Sequence, residues 1–344
     1  MKWRHFAFFL VLILLGLLVL RNLGQIQQFI DLFKQLNVLV LFLVLPVRYG
    51  YYWANTRYYE HFYELYNKRL PHWELFAGVV SMNFVNTVIP TGGLSGAAYF
   101  AQIFRDKVTH KQSYLAQFFW YIATFLSLVI VLAVSFIILF FSRSIAQISF
   151  RLLLIVMSFV LFVAFAVIAV TLNPKLFENV LFVLTRPINW LLKLIRKGSI
   201  SQKQTRQFVK GYKSLIELFA KHPKQAVRPF LDALLCIIFE VLSILIVYLA
   251  FGVLVNPGVA GAAYIFALLL SGLSFFTSGV GLYEATMVGV SVALGVPFTA
   301  AFGATAVYRL IALWLFIPVG LYFYKRQTVD KPDKAQAKGG QRGS

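Results

Sequence analysis

Long apolar runs recur along the chain, and polar or basic residues separate each run from the next. The runs are continuous and do not alternate with polar positions, which is typical of helices and not of membrane-spanning β-strands. A helix needs about 20 residues to cross roughly 30 Å of hydrocarbon. The runs cover residues 6–20, 36–53, 114–141, 152–172, 230–255, 260–276 and 298–324. The pattern therefore predicts an all-α polytopic membrane protein.

Composition agrees with this class, because 60% of the 344 residues are hydrophobic and 13% are charged. Soluble domains average about 45–50% apolar and about 25% charged residues. The net charge of +20 could indicate a nucleic-acid partner, but no nucleic-acid motif accompanies it. Cytoplasmic loops rich in Lys and Arg explain the charge better. The only cysteine, Cys236, excludes an intrachain disulfide and a cysteine metal cluster.

The distribution of basic residues predicts the topology. Lys2 and Arg4 place the N-terminus in the cytoplasm, and the "YKRQ" after the last run places the other end there too. No small-residue cleavage site follows the first run, so we interpret it as a retained span. We expect about six full spans, at residues 6–21, 36–54, 113–141, 151–172, 229–255 and 298–324. Both termini are then cytoplasmic in a multi-pass protein of the cell membrane.

A first break lies in "NFVNTVIPTGGLSGAAYF", where Pro90, Gly92 and Gly93 interrupt an apolar stretch. Basic residues flank this stretch on both sides, so both flanks are expected in the cytoplasm. Residues 75–90 and 92–104 are each short for a full crossing. The simplest arrangement is a re-entrant hairpin that enters from the cytoplasm. Irregular backbone at membrane depth is tolerated only where protein buries it or where it lines a cavity.

A second break lies in "SFFTSGVGLYEATMVGVSVALGVP", where Gly279 and Gly281 take the places of the first glycine pair. Its flanks are both expected outside, so this hairpin would enter from the opposite face. Two opposed hairpins predict an inverted repeat, which many transporters use to place a site near the midplane. We expect one membrane domain over residues 1–328. It comprises a first half at 1–172, a basic cytoplasmic segment at 173–228 and a second half at 229–328, and a disordered tail follows at 329–344.

The breaks supply the candidate binding residues. A helix that starts after Gly93 would direct its N–H groups at the turn, which suits a phosphate or a carboxylate. The alternative is that the glycines serve close helix packing. Asn83, Asn86 and Thr87 share one helix face and could bind headgroup atoms or bond to a neighbouring helix. The substrate-binding candidates are Asn83, Asn86, Thr87, Gly92, Gly93, Ser95, Gly279, Gly281, Glu284, Arg309 and Glu240.

Charged residues inside the apolar runs usually face a partner or water. Glu284 and Arg309 both belong to the second half, and we expect them to pair. The pair could be structural, or it could face a cavity and meet the substrate. Asp232 lies near the end of its span and would reach water, whereas Glu240, two turns deeper, would not. Arg48 could extend along its own stem to the interface.

The segment "QTRQFVKGYKSLIELFAK" is amphipathic. Its apolar face carries Phe208, Tyr212, Leu215, Ile216 and Phe219, and its lysines lie elsewhere. Such helices lie in the headgroup plane of a membrane. We therefore expect cytoplasmic interfacial helices between the two halves.

Together the breaks resemble a known family, the lysylphosphatidylglycerol synthase transmembrane-region or flippase-like family. "IPTGGLSGAAYF" resembles its first glycine-rich break, although Ala97 and Ala98 stand where many members carry Glu or Arg. "TSGVGLYE", which ends at Glu284, resembles its pattern Pro-Gly-Gly-x-Gly-x-x-Glu. "YRLIALWLFIPVG" resembles its last helix, with an Arg followed by a Pro and a Gly. The resemblance implies a membrane module that binds or moves lipids, without the soluble aminoacyl-transferase domain that synthases carry.

Three functions remain open from the sequence. The first is translocation of a lipid or lipid-linked headgroup, with an anionic phospholipid or lipid-linked molecule as the substrate. The second is a lipid-modifying membrane enzyme, although no catalytic constellation is found, and this favours a protein that is not an enzyme. The third is a non-catalytic subunit with a partner enzyme, or a homo-oligomer. No P-loop is present and no histidine has metal-ligand spacing, so neither a cofactor nor a metal is expected.

Overall fold

The computed structural model describes residues 34, 36–89, 93–142, 150–194, 201–272 and 281–329. Helices account for almost all of this part of the chain, and no strand occurs in it. The predicted span at 6–21, Gly92, Gly279 and the tail from residue 330 lie outside the described residues. The helices are α1 Val38–Phe42, α2 Val44–Glu64, α3 His72–Val88, α4 Leu94–Ile103, α5 His110–Phe141, α6 Phe150–Leu172, α7 Pro174–Leu194, α8 Gln202–Lys221, α9 Pro223–Ala250, α10 Pro257–Ser271, α11 Leu282–Ala293, α12 Phe298–Arg309 and α13 Ile317–Val329.

Among the described residues, four helical stretches are long and apolar enough to cross a membrane. They are Val38–Glu64, His110–Phe141, Pro223–Ala250 and Phe298–Gln327. Large apolar side chains such as Phe141, Phe162 and Phe165 point outward on these and neighbouring helices, as a lipid-facing surface requires. The all-α membrane class is thus confirmed, and four of the six predicted spans coincide with long apolar helices.

Helix α6, Phe150–Leu172, covers the predicted span at 151–172 and meets α7 at a sharp bend. The stretches Val160–Leu172 and Pro174–Val183 are inclined by 107°. Pro174 disfavours helical backbone at Asn173, and the Asn173 side chain accepts hydrogen bonds from the backbone N–H groups of Lys175 and Leu176. The bend is therefore a capped helix start, and it turns the chain away from the direction of α6.

Side-chain caps also begin other helices. Thr109 and Gln112 exchange hydrogen bonds at the start of α5, which is a capping box. Asn256 accepts a hydrogen bond of 2.8 Å from the Gly258 N–H, and Pro257 occupies the first position of α10. These polar residues separate neighbouring apolar helices. The same residues that interrupt the apolar runs therefore also accept hydrogen bonds from the backbone N–H groups at the helix starts.

Helices α2 and α9 pack against each other along the centre of the protein. The short helix α3 packs on α13, and the short helix α10 packs on α5. Helices α3 and α4 form one hairpin, and α10 and α11 form another. Two apolar clusters result. One surrounds Tyr59 and Phe62 of α2, and the other surrounds Tyr264 of α10 and Tyr308 of α12.

The amphipathic helix α8 uses its apolar face differently from the sequence prediction. Tyr212 and Leu215 are fully buried, because this face packs on α5 and α7 of the same chain. Phe119 of α5 contacts Phe219 with ring centroids 4.9 Å apart. The Tyr212 hydroxyl donates to the Thr171 carbonyl, and burial raises the pKa of Tyr212, which keeps this donor protonated. The apolar face thus contacts protein where we expected lipid.

Candidate functional site

The first break falls at the predicted glycines. Helix α3 ends at Val88, and α4 begins at Leu94 after Gly93, whose φ is 90°. A Cβ atom on Gly93 would lie 1.8 Å from the hydroxyl of Tyr121 in α5. Two features therefore favour glycine at this position, the left-handed backbone and the close approach of the Tyr121 side chain. The predicted helix break at Gly93 is confirmed.

Two of the predicted polar residues hold this break together. The Gly96 N–H donates to Asn86 Oδ1 at 2.8 Å, so Asn86 of α3 caps the first turn of α4. The Ser95 hydroxyl donates to the Ile89 carbonyl at 3.1 Å. One N–H group at the start of α4 is thus satisfied by protein, and this limits how many of them a bound anion could use.

Asn83 and Thr87 make local contacts on the same helix. Asn83 Nδ2 donates to the Val79 carbonyl at 3.0 Å, and Thr87 Oγ1 donates to the Asn83 carbonyl at 2.9 Å. Asn83 is half-buried and Thr87 is exposed. Thr87 is therefore accessible and Asn83 partly accessible, and their contact with a headgroup stays a prediction.

The second break centres on Glu284. Gly281 has a φ of 88° and precedes α11, and its N–H donates to Glu284 Oε2 at 2.6 Å. The other carboxylate oxygen, Oε1, accepts from Arg309 Nε of α12 at 2.5 Å. The Arg309 guanidinium also lies 4.4 Å from the ring centre of Tyr283. The predicted Glu284–Arg309 pair is confirmed, and the same carboxylate caps the helix that follows the break.

A cavity of about 610 Å³ opens beside this pair, between α11 and α12. Its lining is almost entirely apolar, with Glu284 as its charged member. Gly281 and Gly289 leave part of the wall bare, since a Cβ atom built at either position would meet no atom within 4 Å. The lining residues are Gly281, Glu284, Ala285, Val288, Gly289, Val292, Phe298, Phe302, Thr305 and Ala306. The space suits a hydrocarbon chain with a polar group near Glu284.

The last span changes its winding directly after Arg309. Residues Leu310–Leu315 form a π-helical segment, and α13 resumes at Ile317. Pro318 has no N–H group and would crowd the carbonyl four residues earlier, which disfavours a regular α-helix here. π-Helical turns are often found at functional sites. This one lies between Arg309 and the Phe316 ring, which stacks on Arg48 at 5.5 Å.

A second ion pair, which the sequence did not connect, lies at the centre. Arg48 NH1 of α2 is 2.5 Å from Glu240 Oε2 of α9, and their side chains are 4% and 9% exposed. The Tyr308 hydroxyl donates to the same carboxylate oxygen at 2.7 Å. The Arg48 guanidinium lies 4.8 Å from the ring centre of Tyr51. Arg48 therefore stays buried and does not extend to the interface, because a carboxylate and aromatic faces surround it.

Asp232 corrects another expectation. It is 5% exposed and does not reach water. Its carboxylate Oδ2 lies 2.6 Å from His61 Nδ1, and Oδ1 lies 3.9 Å from Arg57 Nε. The close packing of α2 on α9 covers the carboxylate and brings the two basic side chains to it. Nothing in the spacing of the sequence joins residues so far apart, although all of them lie at the same end of two predicted spans.

No group of three or more His, Cys, Asp or Glu side chains within the described ranges could hold a metal ion. The candidate site therefore consists of glycine-broken hairpins, two ion pairs and an apolar cavity.

Comparisons with known proteins bear on this arrangement. No curated protein and no solved structure matches the chain. A family model described as the lysylphosphatidylglycerol synthase TM region matches residues 6–320, which include both breaks and both ion pairs. The chain therefore belongs to the lysylphosphatidylglycerol synthase transmembrane-region family, as its glycine breaks, Glu284 and Arg309 had suggested.

Proposed function

We propose that this membrane protein binds a phospholipid or a lipid-linked headgroup and moves it across the bilayer. The observation that carries the proposal is the cavity between α11 and α12. It combines an apolar wall with the Glu284 carboxylate and the neighbouring Arg309 guanidinium. A lipid presents the same combination, a hydrocarbon chain joined to a polar group.

The second support is the packing of the helices. The first helix of each hairpin packs on a helix of the other half, α3 on α13 and α10 on α5. Within the described part of the chain, the leading long helices of the two halves, α2 and α9, pack on each other. This reciprocal pattern is what an inverted repeat would produce. In such a repeat the two hairpins enter from opposite faces of the membrane, and a central site opens alternately to one face and to the other.

The two ion pairs would have distinct roles in this mechanism. Arg48 and Glu240 join the two halves where α2 meets α9, and their burial suits a fixed contact about which the halves move. Glu284 and Arg309 border the cavity and are 32% and 18% exposed, so a headgroup can reach them. Asn83, Thr87 and Gly93 at the first break would form the counterpart on the other face.

We further propose that the protein resides in the cell membrane with both termini in the cytoplasm. An anionic phospholipid or a lipid-linked molecule is the substrate class, since basic segments attract such headgroups. The basic segment 173–228 would then face the leaflet from which the lipid is collected.

Lipid movement by the purified chain tests the proposal. The protein is reconstituted alone into liposomes that contain a fluorescent phospholipid, and the loss of fluorescence on adding a membrane-impermeant quencher is followed. We expect faster exchange between leaflets than in protein-free liposomes. A chemically altered lipid would instead support a lipid-modifying enzyme, and activity only with an added partner protein would support a non-catalytic subunit.

Filling the cavity gives a sharper version of the same test. Gly289→Leu places a side chain in open space of the cavity, so the protein should fold and lose most lipid movement. Ala293→Leu adds similar bulk at an exposed site of the same helix outside the cavity lining, and it should keep full activity. Equal rates in the two variants would reject the cavity as the lipid path.

A further inference from the structure

A group of three ionisable side chains lies apart from the cavity, where α2 and α9 meet. His61 Nδ1 is 2.6 Å from Asp232 Oδ2, and Arg57 NH2 is 3.2 Å from His61 Nε2. The Arg57 guanidinium also rests on the ring of Trp53 at 4.8 Å. We call these residues, Arg57, His61 and Asp232, the α2–α9 cluster.

The donors in this cluster define the protonation state of His61. A guanidinium has only N–H donors, so Nε2 of His61 must be the acceptor in its contact with Arg57. An ionised carboxylate only accepts, so Nδ1 must carry the proton that bonds to Asp232. The geometry therefore describes a neutral histidine between a cation and an anion, and the cluster has no net charge.

A proton added to His61 would change this balance. Nε2 would become a donor that faces the donors of Arg57, and two cations would lie in contact. The Arg57 side chain is 39% exposed, so it can leave, whereas the Asp232 side chain is 7% exposed and cannot. The cluster would then hold one excess positive charge, and it would present a freed guanidinium at its edge.

We propose that His61 and Asp232 form a proton-binding site whose occupation releases Arg57 to bind a phosphodiester group. A guanidinium binds phosphate oxygens through two parallel N–H bonds. By thermodynamic linkage, phosphodiester binding must then promote proton uptake, and protonation must promote binding. The inference concerns binding alone and holds whether or not lipid crosses the bilayer.

The neighbouring charges on the same helices are already paired with each other. Glu64 of α2 lies 3.8 Å from Arg228 of α9, and Glu60 of α2 lies 2.6 Å from His72 of α3. The pair His72–Glu60 offers an internal control, because it is a second histidine–carboxylate contact without an arginine on the other ring nitrogen in the described contacts.

Calorimetry on the full chain in an uncharged detergent tests the proposal. The probe is dihexanoylphosphatidylglycerol, a phosphodiester whose charge is constant over the range in which histidine titrates, and dimethyl phosphate serves as the lipid-free probe. We expect binding at pH ~5.5 to be about fivefold tighter, or more, than at pH ~8. Titrations in buffers of different ionisation enthalpy should show that about one proton is taken up per ligand bound near neutral pH.

Variants separate the parts of the proposal. His61→Gln can still donate to Asp232 and accept from Arg57, so it should fold and lose the pH dependence. His72→Gln should keep the pH dependence, and Arg57→Met should lose the additional affinity at low pH while it keeps any binding at the α11–α12 cavity. If binding by the unmodified chain does not depend on pH, the proposal is overturned. It is also overturned if the pH dependence survives in His61→Gln. Equal affinity for both probes assigns recognition to the phosphodiester, whereas tighter lipid binding adds a contribution from the acyl chains.

Discussion

Arg48 NH1 of α2 lies 2.5 Å from Glu240 Oε2 of α9, and the two residues are 192 positions apart in the chain. The Tyr308 hydroxyl of α12 completes the contact from a third helix. A charge at this depth is expensive without a partner, so the pair ties three helices of both halves to one arrangement.

Removal of one member of this pair should destabilise the protein strongly. Arg48→Met and Glu240→Gln each leave polar groups without their partner, and each should cost about 3–5 kcal/mol in unfolding free energy. Arg48→Met combined with Glu240→Gln should lose less than the sum of the two single changes. Thermal unfolding in detergent measures all variants. Additive losses would contradict the interaction. Glu178→Gln is the control, because its pair with Lys213 is more exposed, and it should change the free energy of unfolding by about 1 kcal/mol or less.

The Glu284–Arg309 pair should behave differently, because it is more exposed and borders the cavity. Glu284→Gln retains an oxygen for the Gly281 N–H, so we expect a modest loss of about 1–2 kcal/mol and a large loss of lipid movement. Full transport in Glu284→Gln would reject a role in function. A stability cycle with Arg309→Gln and the double variant measures the pair itself, since independent sites would give additive losses.

Gly93 and Gly281 should differ in their tolerance of alanine, although both have a positive φ. At Gly281 the added Cβ meets no neighbour, so only the backbone conformation opposes it (φ 88° and ψ −52°), at about 1–3 kcal/mol. At Gly93 the Cβ also collides with the Tyr121 hydroxyl, so the loss should be larger. Tyr121→Phe removes that hydroxyl and should restore part of the stability of Gly93→Ala. A melting temperature of Gly93→Ala that Tyr121→Phe leaves unchanged would rule out the collision.

Both ends of the chain should lie on the cytoplasmic side. Reporter fusions at Met1 and after Val329, active on only one side of the membrane, measure this directly. Fusions that report opposite sides would make the number of crossings odd. The second hairpin would then have to be a full span, and the inverted repeat would be lost.

The sequence by itself determined the class of the protein. In a bilayer, the backbone N–H and C=O groups of long continuous apolar runs can form their hydrogen bonds only within helices. The sequence also located the break at Gly93, because Pro90 and the neighbouring glycines disfavour a continuous helix. Glu284 and Arg309 were paired correctly because one lies just after a break and the other in the next span.

Only the tertiary structure decided which distant groups meet. Arg48 joins Glu240, and His61 joins Asp232, because α2 packs on α9, and no local pattern encodes that contact. The same packing explains two corrected expectations, the buried Arg48 and the buried Asp232, and the packing of α8 on α5 and α7 explains a third, its protein-covered face. Apolar periodicity reports that a face is hidden from water, but it cannot distinguish lipid from another helix, since both are equally apolar.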